Sequence, residues 1–525
     1  MTKLDLNRRN LLKGASLAAM CALPMGEGIA KEYSDKIRWD ETTDVLVVGF
    51  GGAGAVTAVT AHDLGKKVLI IEKMPVAGGN TAVSAGGFMV PDEIDKAYTY
   101  LKGSYSYCEA DYDEALLKTF SERSHELKNF IQKLNPEAKT FVYGYAGFKG
   151  LQGAETIKRY RVRGKKASGD CLFDLLKSAV EQRNIPVWLE TPSVRMIRKG
   201  DEVVGVTAKR NGKEVNIRAR YGVVLCTGGY EFDKESLLNY TMGREILALG
   251  SPGNTGDGLR LAQSMGAKLW HMNAYSATLA VRIPGLQTAV AASPKGASYI
   301  WVDQDGRRFV NELVDGHCRL YVVQQLDSIK HRYPRIPCYL VFDQATLDKG
   351  PLGSSLGSGY AINREKHRWS KDLNAEIKQG IVKKADSIAA LAKLIGVPEK
   401  NLEKTIQKWN TDIKAGEDTD YGRAIKAAGK QAYAFDAPLK SAPIEKGPYY
   451  AIALYPTLVN TQGGPRKNDK GQVLNALNEV IGRLYVAGEL GSMWGPVYQG
   501  ACNNAESLVF GQVAGENVVK EKPWC

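Results

Sequence analysis

The stretch TTDVLVVGFGGAGAVTAVTAHDLGKKVLIIEK, residues 42–73, limits the possible folds of this chain more than any other. The apolar run Val45–Val48 reads as a buried strand. Gly49, Gly51 and Gly54 follow with GxGxxG spacing, and a small-residue helix is predicted over Ala55–Leu64. A second apolar strand is predicted over Lys67–Ile71, and Glu72 ends it, 18 residues after Gly54. Each part has a mechanical reason. Gly49 makes a tight turn, Gly51 lets backbone approach a pyrophosphate, and Gly54 allows close helix–strand packing. The helix N-terminus favours the phosphates' charge, and an acid at the end of the second strand accepts hydrogen bonds from ribose hydroxyls. Strand, turn, helix, strand and acid together predict a dinucleotide site.

The next segment separates two kinds of dinucleotide. MPVAGGNTAVSAGGF, residues 74–88, places two glycine pairs around Asn80, Thr81 and Ser84. Such a loop can run backbone amides along a second ligand surface. A nicotinamide-binding unit does not need that surface there, whereas a flavin, with a large ring to hold, does.

At 525 residues the chain is too long for one ordinary core, so more than one domain is expected. The net charge of +13 reads as a solvated surface or as a face for an anionic partner. The basic residues are dispersed and no zinc spacing or RNA-binding signature is present, which argues against nucleic acid. Eight cysteines include no CxxC, so neither a zinc ribbon nor a c-type haem site is encoded. Residues 1–30 carry twin arginines, Arg8 and Arg9, then a short apolar stretch and a small-residue end at Gly28-Ile29-Ala30. That is the layout of a Tat export signal, and it predicts a periplasmic protein with no stable membrane insertion. The alternative for the same residues is an amphipathic first helix.

The run EKMPVAGGNTAVSAGG resembles the FAD-dependent superfamily of fumarate reductases, urocanate reductases and 3-ketosteroid dehydrogenases. VVLCTGGYE (223–231), GNTGDGLRLAQSMGAKL (253–269), WVDQDGRRFVNE (301–312) and GRLYVAGELGS (482–492) follow in the same order. The resemblance implies an α/β fold: a doubly wound, Rossmann-like FAD-binding domain interrupted by an α+β capping domain. Mapped here, 38–270 is the first part of the FAD domain, 271–459 the cap and 460–525 the second part. Two local signals accompany this layout. Alternating runs around Asn211-Gly212 predict a hairpin, and 384–416, broken at Gly396-Val397-Pro398, predicts a helical pair.

By the same resemblance, FAD is held by Gly49, Gly51, Gly52, Ala53, Gly54, Glu72, Lys73, Gly79, Asn80, Thr81, Ser84, Gly86, Gly87, Thr227, Gly228, Asp257 and Glu489. Ser507 and Leu508 meet the pyrimidine end of the flavin.

The substrate side departs from the fumarate reductases. Their arginine after RF.NE falls near Gly316 here, with His317 adjacent and Arg319 three positions on. Asn460 stands where they have a histidine, and the turn that carries their clamp arginine reads YQGACNNAE. Tyr498 instead matches the ketosteroid dehydrogenase tyrosine, with Cys502 in place of the glycine whose amide completes a carbonyl clamp. Hydride transfer to the β-carbon of an enone or enoate builds negative charge on the carbonyl oxygen, which a phenol and an amide stabilise. A packed loop tyrosine is the other reading of Tyr498. His317, Arg319 and Tyr299 are candidate proton donors. His271 reads as a core histidine or as a group orienting flavin or substrate. RYRVRGKK, 159–166, reads as basic surface or as the rim of an opening for an anionic substrate. The tyrosines of 97–112 either line a pocket or pack.

These expectations converge on a periplasmic reductase of a conjugated C=C bond, working as a respiratory terminal enzyme on a small unsaturated substrate. No haem motif lies in the chain, so a separate c-type cytochrome is the expected electron donor. A ketosteroid-type dehydrogenase, fumarate reductase-like activity and a flavin-binding protein without turnover are the rivals.

Overall fold

The computed structural model describes residues 30–33, 37–165, 168–242, 245–313, 319–353, 367–425 and 441–524, without the side chains of 168, 319 and 320. All of the expected export signal but Ala30 lies outside the described residues, as does His317. Of Arg319 only the backbone is described, at the start of the helix Arg319–Val323.

The apolar runs become the centre of a nine-stranded sheet. Its order is 31–32, 193–199, 202–210, 480–486, 213–225, 41–48, 68–71 and 187–188, with 472–474 paired beside 480–486. Val45, Leu46 and Val47 are fully buried. A parallel strand covered on both faces reads as a continuous apolar run, and this one does. The expected strand at Val45–Val48 extends back to Glu41, and the expected helix begins three residues earlier, spanning Gly52–Asp63.

The hairpin forms where Asn211-Gly212 predicts it, both residues having positive φ (50° and 78°). Its second strand, Lys213–Leu225, changes partners along its length. The first half pairs antiparallel with 202–210, and the second runs parallel to 41–48 and 480–486. This register lines up Val48, Leu225 and Val486 at one edge. Gly49, Cys226 and Ala487 therefore leave the sheet side by side. In a parallel sheet, loops at the carboxyl ends of neighbouring strands form the ligand crevice.

A six-stranded sheet is built around the long strand Tyr449–Thr461, which pairs with 247–248, 275–280, 338–343 and 382–385; 299–302 completes it beside 338–343. The helical pair is Ile388–Ile395 and Glu399–Ala415, turned at Gly396 (φ 72°), with the strand Val382–Ala385 ahead of it. A three-stranded antiparallel sheet joins 87–91, 157–162 and 140–145.

That small sheet resolves two readings left open by sequence. The strand Ile157–Val162 buries Arg159 and Tyr160 and half-buries Arg161, 3.9 Å over the Tyr143 ring, whereas 163–165 are exposed, so the basic run is interior at its start and surface after it. Tyr100 and Tyr105 pack in the main core, and their hydroxyls reach Gln499 and the Met493 carbonyl.

Candidate active site

The glycine turn is shaped by contacts with the next strand. Gly49 has φ +104°, and a Cβ there would stand 2.3 Å from the Cys226 carbonyl oxygen. A Cβ on Gly54 would lie 2.0 Å from the Gly49 oxygen. Turn and helix are therefore closer than any side chain permits. The helix Gly52–Asp63 has no acidic residue in its first turn, so the positive end of its dipole is available to an anion. Both oxygens of Glu72 accept backbone amides, from Phe50 and Met74, each at 2.8 Å. Burial pushes the Glu72 carboxyl up, and those two bonds pull it back down. A carboxylate so fixed keeps lone pairs for hydroxyl donors. Lys73 spans to Asp257 and Thr255, both at 2.5 Å, and Arg260 reaches Asp257 at 2.6 Å. Asp257 thereby ties its helix, Asp257–Ser264, to the end of the second strand.

Asn80 links three segments. Its nitrogen donates to Glu231 at 2.8 Å and to Glu489 at 2.7 Å, while its oxygen accepts the Ser251 amide at 2.7 Å. Glu231 also accepts from Asn254 at 2.8 Å, and Glu489 from the Thr461 amide at 3.3 Å. Burial pushes Glu231 up to about 7 and Glu489 well above the ordinary carboxyl range. Thr81 accepts the Gly52 amide at 3.2 Å. Ser84 accepts the Gly86 amide at 3.0 Å, and Asn504 donates to Ser84 Oγ and to the Gly87 carbonyl at 3.1 and 3.0 Å. The short helix Gly79–Val83 and the second glycine pair are thus pinned to the last helix, Cys502–Val518. Ser507 and Leu508 lie buried on that helix, against the first one. Thr227 and Gly228 follow the end of the central strand, Gly228 with φ +70°.

Tyr498 closes the one-turn helix Gly495–Val497 and is half-buried against the main core. Four residues on, the Cys502 amide donates to the Gln499 carbonyl at 3.2 Å, and its side chain is fully buried in the core. His271 packs beside Gly495, stacks on Trp270 at 4.2 Å and shares its Nδ1 with the Ser492 carbonyl at 2.8 Å. A carbonyl only accepts, so Nδ1 carries the proton. Burial lowers the pKa of His271, which keeps the ring neutral. Asn460 is buried and donates to the Thr461 carbonyl at 2.9 Å. His271 thus reaches the turn that carries Tyr498 and Cys502 through Ser492 and Gly495, while next to Asn460 the Thr461 amide reaches Glu489.

Tyr299 is held elsewhere. Its carbonyl accepts Arg423 at 2.7 Å, and the same guanidinium lies 4.1 Å over its ring. Arg423 belongs to a buried network with Arg308, Glu312 and Asp418. RRFVNE therefore builds the interior of the second sheet.

Several buried polar atoms have no partner among the described residues: Thr227 Oγ1, Glu231 Oε2, both amide atoms of Gln462 and of Asn503, and Gln499 Nε2. A buried polar group left unmet costs about 1–3 kcal/mol. Thr227 and Glu231 follow the strand Lys213–Leu225 at the crevice, and the mix of donors and acceptors fits a long polar cofactor.

The profile of the FAD binding domain family matches residues 44–504. The chain belongs to that family. It is 27% identical to fumarate reductase (cytochrome) of Shewanella frigidimarina, over 91% of this chain and 77% of that one. It is 28% identical to urocanate reductase of Eggerthella lenta, over 90% and 74%. Its fold is similar to that of 3-ketosteroid delta1-dehydrogenase from Sterolibacterium denitrificans, with TM-score 0.79, 23% identity and coverage of 91% and 99%. The protein is an FAD-dependent oxidoreductase acting on CH–CH or C=C groups.

Within this flavoenzyme, sequence reasoning passed over Glu231, Gln462 and Gln499. Glu231 had a usable signal, an acid directly after the double glycine that ends a buried strand. Gln499 lies inside the turn that was singled out, but its orientation comes from Tyr100, 399 positions away. No local pattern carries that information.

Proposed function

We propose that this flavoenzyme reduces a conjugated C=C bond of an enoate or enone in the periplasm, after Tat export, with electrons from a separate c-type cytochrome. FAD, when bound, supplies a hydride to the β-carbon. The chain's own residues hold the carbonyl oxygen and exclude water, and the α-carbon takes a proton from the cap side, where His317 and Arg319 are the residues to test. The carrying observation is the character of the 495–506 turn. Its side chains are a phenol and carboxamides (Tyr498, Gln499, Asn503 and Asn504), with no charge before Glu506. Neutral donors suit a single carbonyl oxygen that gains charge in the transition state. Two free carboxylates would call for cations. The fumarate and urocanate reductases among its relatives support the reductive direction.

The Tyr498–Cys502 spacing favours a second reading, the reverse reaction on a saturated ketone. One experiment separates the two. The protein is reduced anaerobically with an artificial donor, and acceptors are added singly while flavin absorbance is followed. Rapid reoxidation by an aryl-acrylate or an enone, and none by fumarate, is expected. Reoxidation by fumarate removes the neutral-clamp argument. Silence with every acceptor, together with bleaching of the oxidised protein by a saturated ketone, moves the assignment to dehydrogenase.

A further inference from the structure

The Cys502 amide, which the resemblance assigns to the carbonyl clamp, is already engaged by the Gln499 carbonyl at 3.2 Å. The Gln499 side chain, by contrast, offers a donor with no acceptor among the described residues. It is 1% exposed. Its Oε1 accepts two hydrogen bonds, from the Gly147 amide at 2.7 Å and from the Tyr100 hydroxyl at 2.5 Å. A backbone amide can only donate, so the accepting atom is the oxygen and the NH2 group is the other terminus. That nitrogen is buried and has no acceptor among the described residues.

The arrangement also strengthens the donor. The Phe148 amide donates to the Tyr100 oxygen at 3.1 Å, so the tyrosine hydrogen is directed at Gln499. Burial raises the Tyr100 phenol, which therefore stays protonated. Two bonds entering the carbonyl end of a carboxamide draw charge from its nitrogen and make the N–H groups better donors. The result is a rigid, water-excluded, polarised donor on the residue directly after Tyr498. Fixed donors of this kind stabilise developing oxyanions because they need no reorganisation as charge appears.

We propose that the Gln499 carboxamide is the second donor to the substrate's carbonyl or carboxylate oxygen, beside Tyr498, in the place that the Cys502 amide would otherwise take. Tyr100 and Gly147 are its positioning groups. This rests on the reading of the enzyme as acting on a C=C bond conjugated to a carbonyl. The ligand class follows from the donor. An oxygen acceptor carrying partial or full negative charge is required, and an unactivated alkene gives Gln499 nothing to hold.

The test compares Gln499→Met, Gln499→Glu and Tyr100→Phe with the wild type as FAD-loaded proteins. Wild-type turnover of the acceptor panel is measured first and decides the underlying reading by itself. Binding of the saturated product of the best acceptor is then titrated through the flavin spectrum, and kcat and KM are determined. Gln499→Met is expected to retain FAD, to weaken product binding at least tenfold, and to lower kcat about 100-fold. Gln499→Glu keeps the acceptor for Tyr100 and Gly147. Above the pH at which its carboxyl ionises it should bind product as poorly as Gln499→Met, with recovery at lower pH, where the acid can donate. Tyr100→Phe leaves the carboxamide in place but frees its rotation. A smaller loss, confined to kcat and product binding with FAD content unchanged, is expected. A wild type active on the panel, with product binding and kcat in folded Gln499→Met or Tyr100→Phe within twofold of it, overturns the proposal. A melting temperature lowered without change in either quantity does the same, since it assigns Gln499 a purely structural role.

Discussion

Glu231 and Glu489 accept hydrogen bonds from the same nitrogen of Asn80, at 2.8 and 2.7 Å, and both are buried. Among the described residues neither acid forms an ion pair with a cation, and burial is the first cause that raises both. Two carboxylates so placed repel, and the pair keeps a proton. The folded state therefore holds a proton that the unfolded chain releases near the ordinary carboxyl pKa. The stability this contributes is fully present below the ordinary carboxyl value of 4.5 and is lost as pH rises through about 7, where Glu231 titrates. Melting temperature and FAD retention should both be lower at pH 8 than at pH 5.5. Glu231→Gln, which cannot ionise, should flatten that slope. An unchanged slope in the variant would show that the pH dependence originates elsewhere.

Much of the FAD crevice was legible because its chemistry is local. Gly49, Gly54 and Glu72 lie within one βαβ unit, and the turn, the close packing and the acid each leave a residue type at a fixed spacing. The hairpin at Asn211-Gly212 was legible for the same reason, since two positive φ values need those residues. The opposite case is RRFVNE. Nothing local in it marks Arg308 and Glu312 as buried, because their partners Asp418 and Arg423 arrive from more than a hundred residues away. Arg159 shares its run with four other basic residues, which left basic surface and the rim of an opening as its readings. Pairing of 157–162 between two other strands buried it. Charge run alone carries no information about which strands will cover it.

Gly54 offers a steric test of the crevice. An alanine methyl at this position meets the Gly49 carbonyl oxygen at 2.0 Å, so turn and helix must separate. Overpacking of this kind costs about 1–3 kcal/mol. If the strain falls on FAD binding, Gly54→Ala should weaken FAD affinity by roughly 5- to 150-fold. Titration of the apoprotein with FAD, followed by flavin fluorescence, measures it. Gly65→Ala serves as the control, because a Cβ there meets no atom within 4 Å, although its positive φ gives a small stability cost of its own.

The buried network around Glu312 makes a stability prediction independent of FAD. Glu312 pairs with Arg308 at 2.9 Å and Arg423 at 3.3 Å, and the three side chains are 0–3% exposed. Glu312→Ala leaves two buried guanidiniums with one carboxylate, Asp418, between them. Breaking one side of a buried ion network costs about 3–5 kcal/mol. Denaturant unfolding monitored by tryptophan fluorescence should show that loss, with Trp409, packed 4.5 Å from Arg308, reporting directly. Flavin content should stay near wild type until the second sheet unfolds.

Tyr498 provides the sharpest separation of an enzyme from a passive flavin carrier. Its hydroxyl is assigned to the reacting carbonyl, and its ring packs against the main core. Tyr498→Phe keeps the ring and removes only the donor. With an oxyanion-type role, kcat should fall about 100-fold while FAD content and melting temperature stay unchanged. The double variant with Gln499→Met should fall by less than the product of the two single losses if both donors serve one oxygen, because residues acting as a unit are not additive. Strict multiplication of the losses would place the two groups on different parts of the substrate, and retained activity in Tyr498→Phe would return the tyrosine to a packing role.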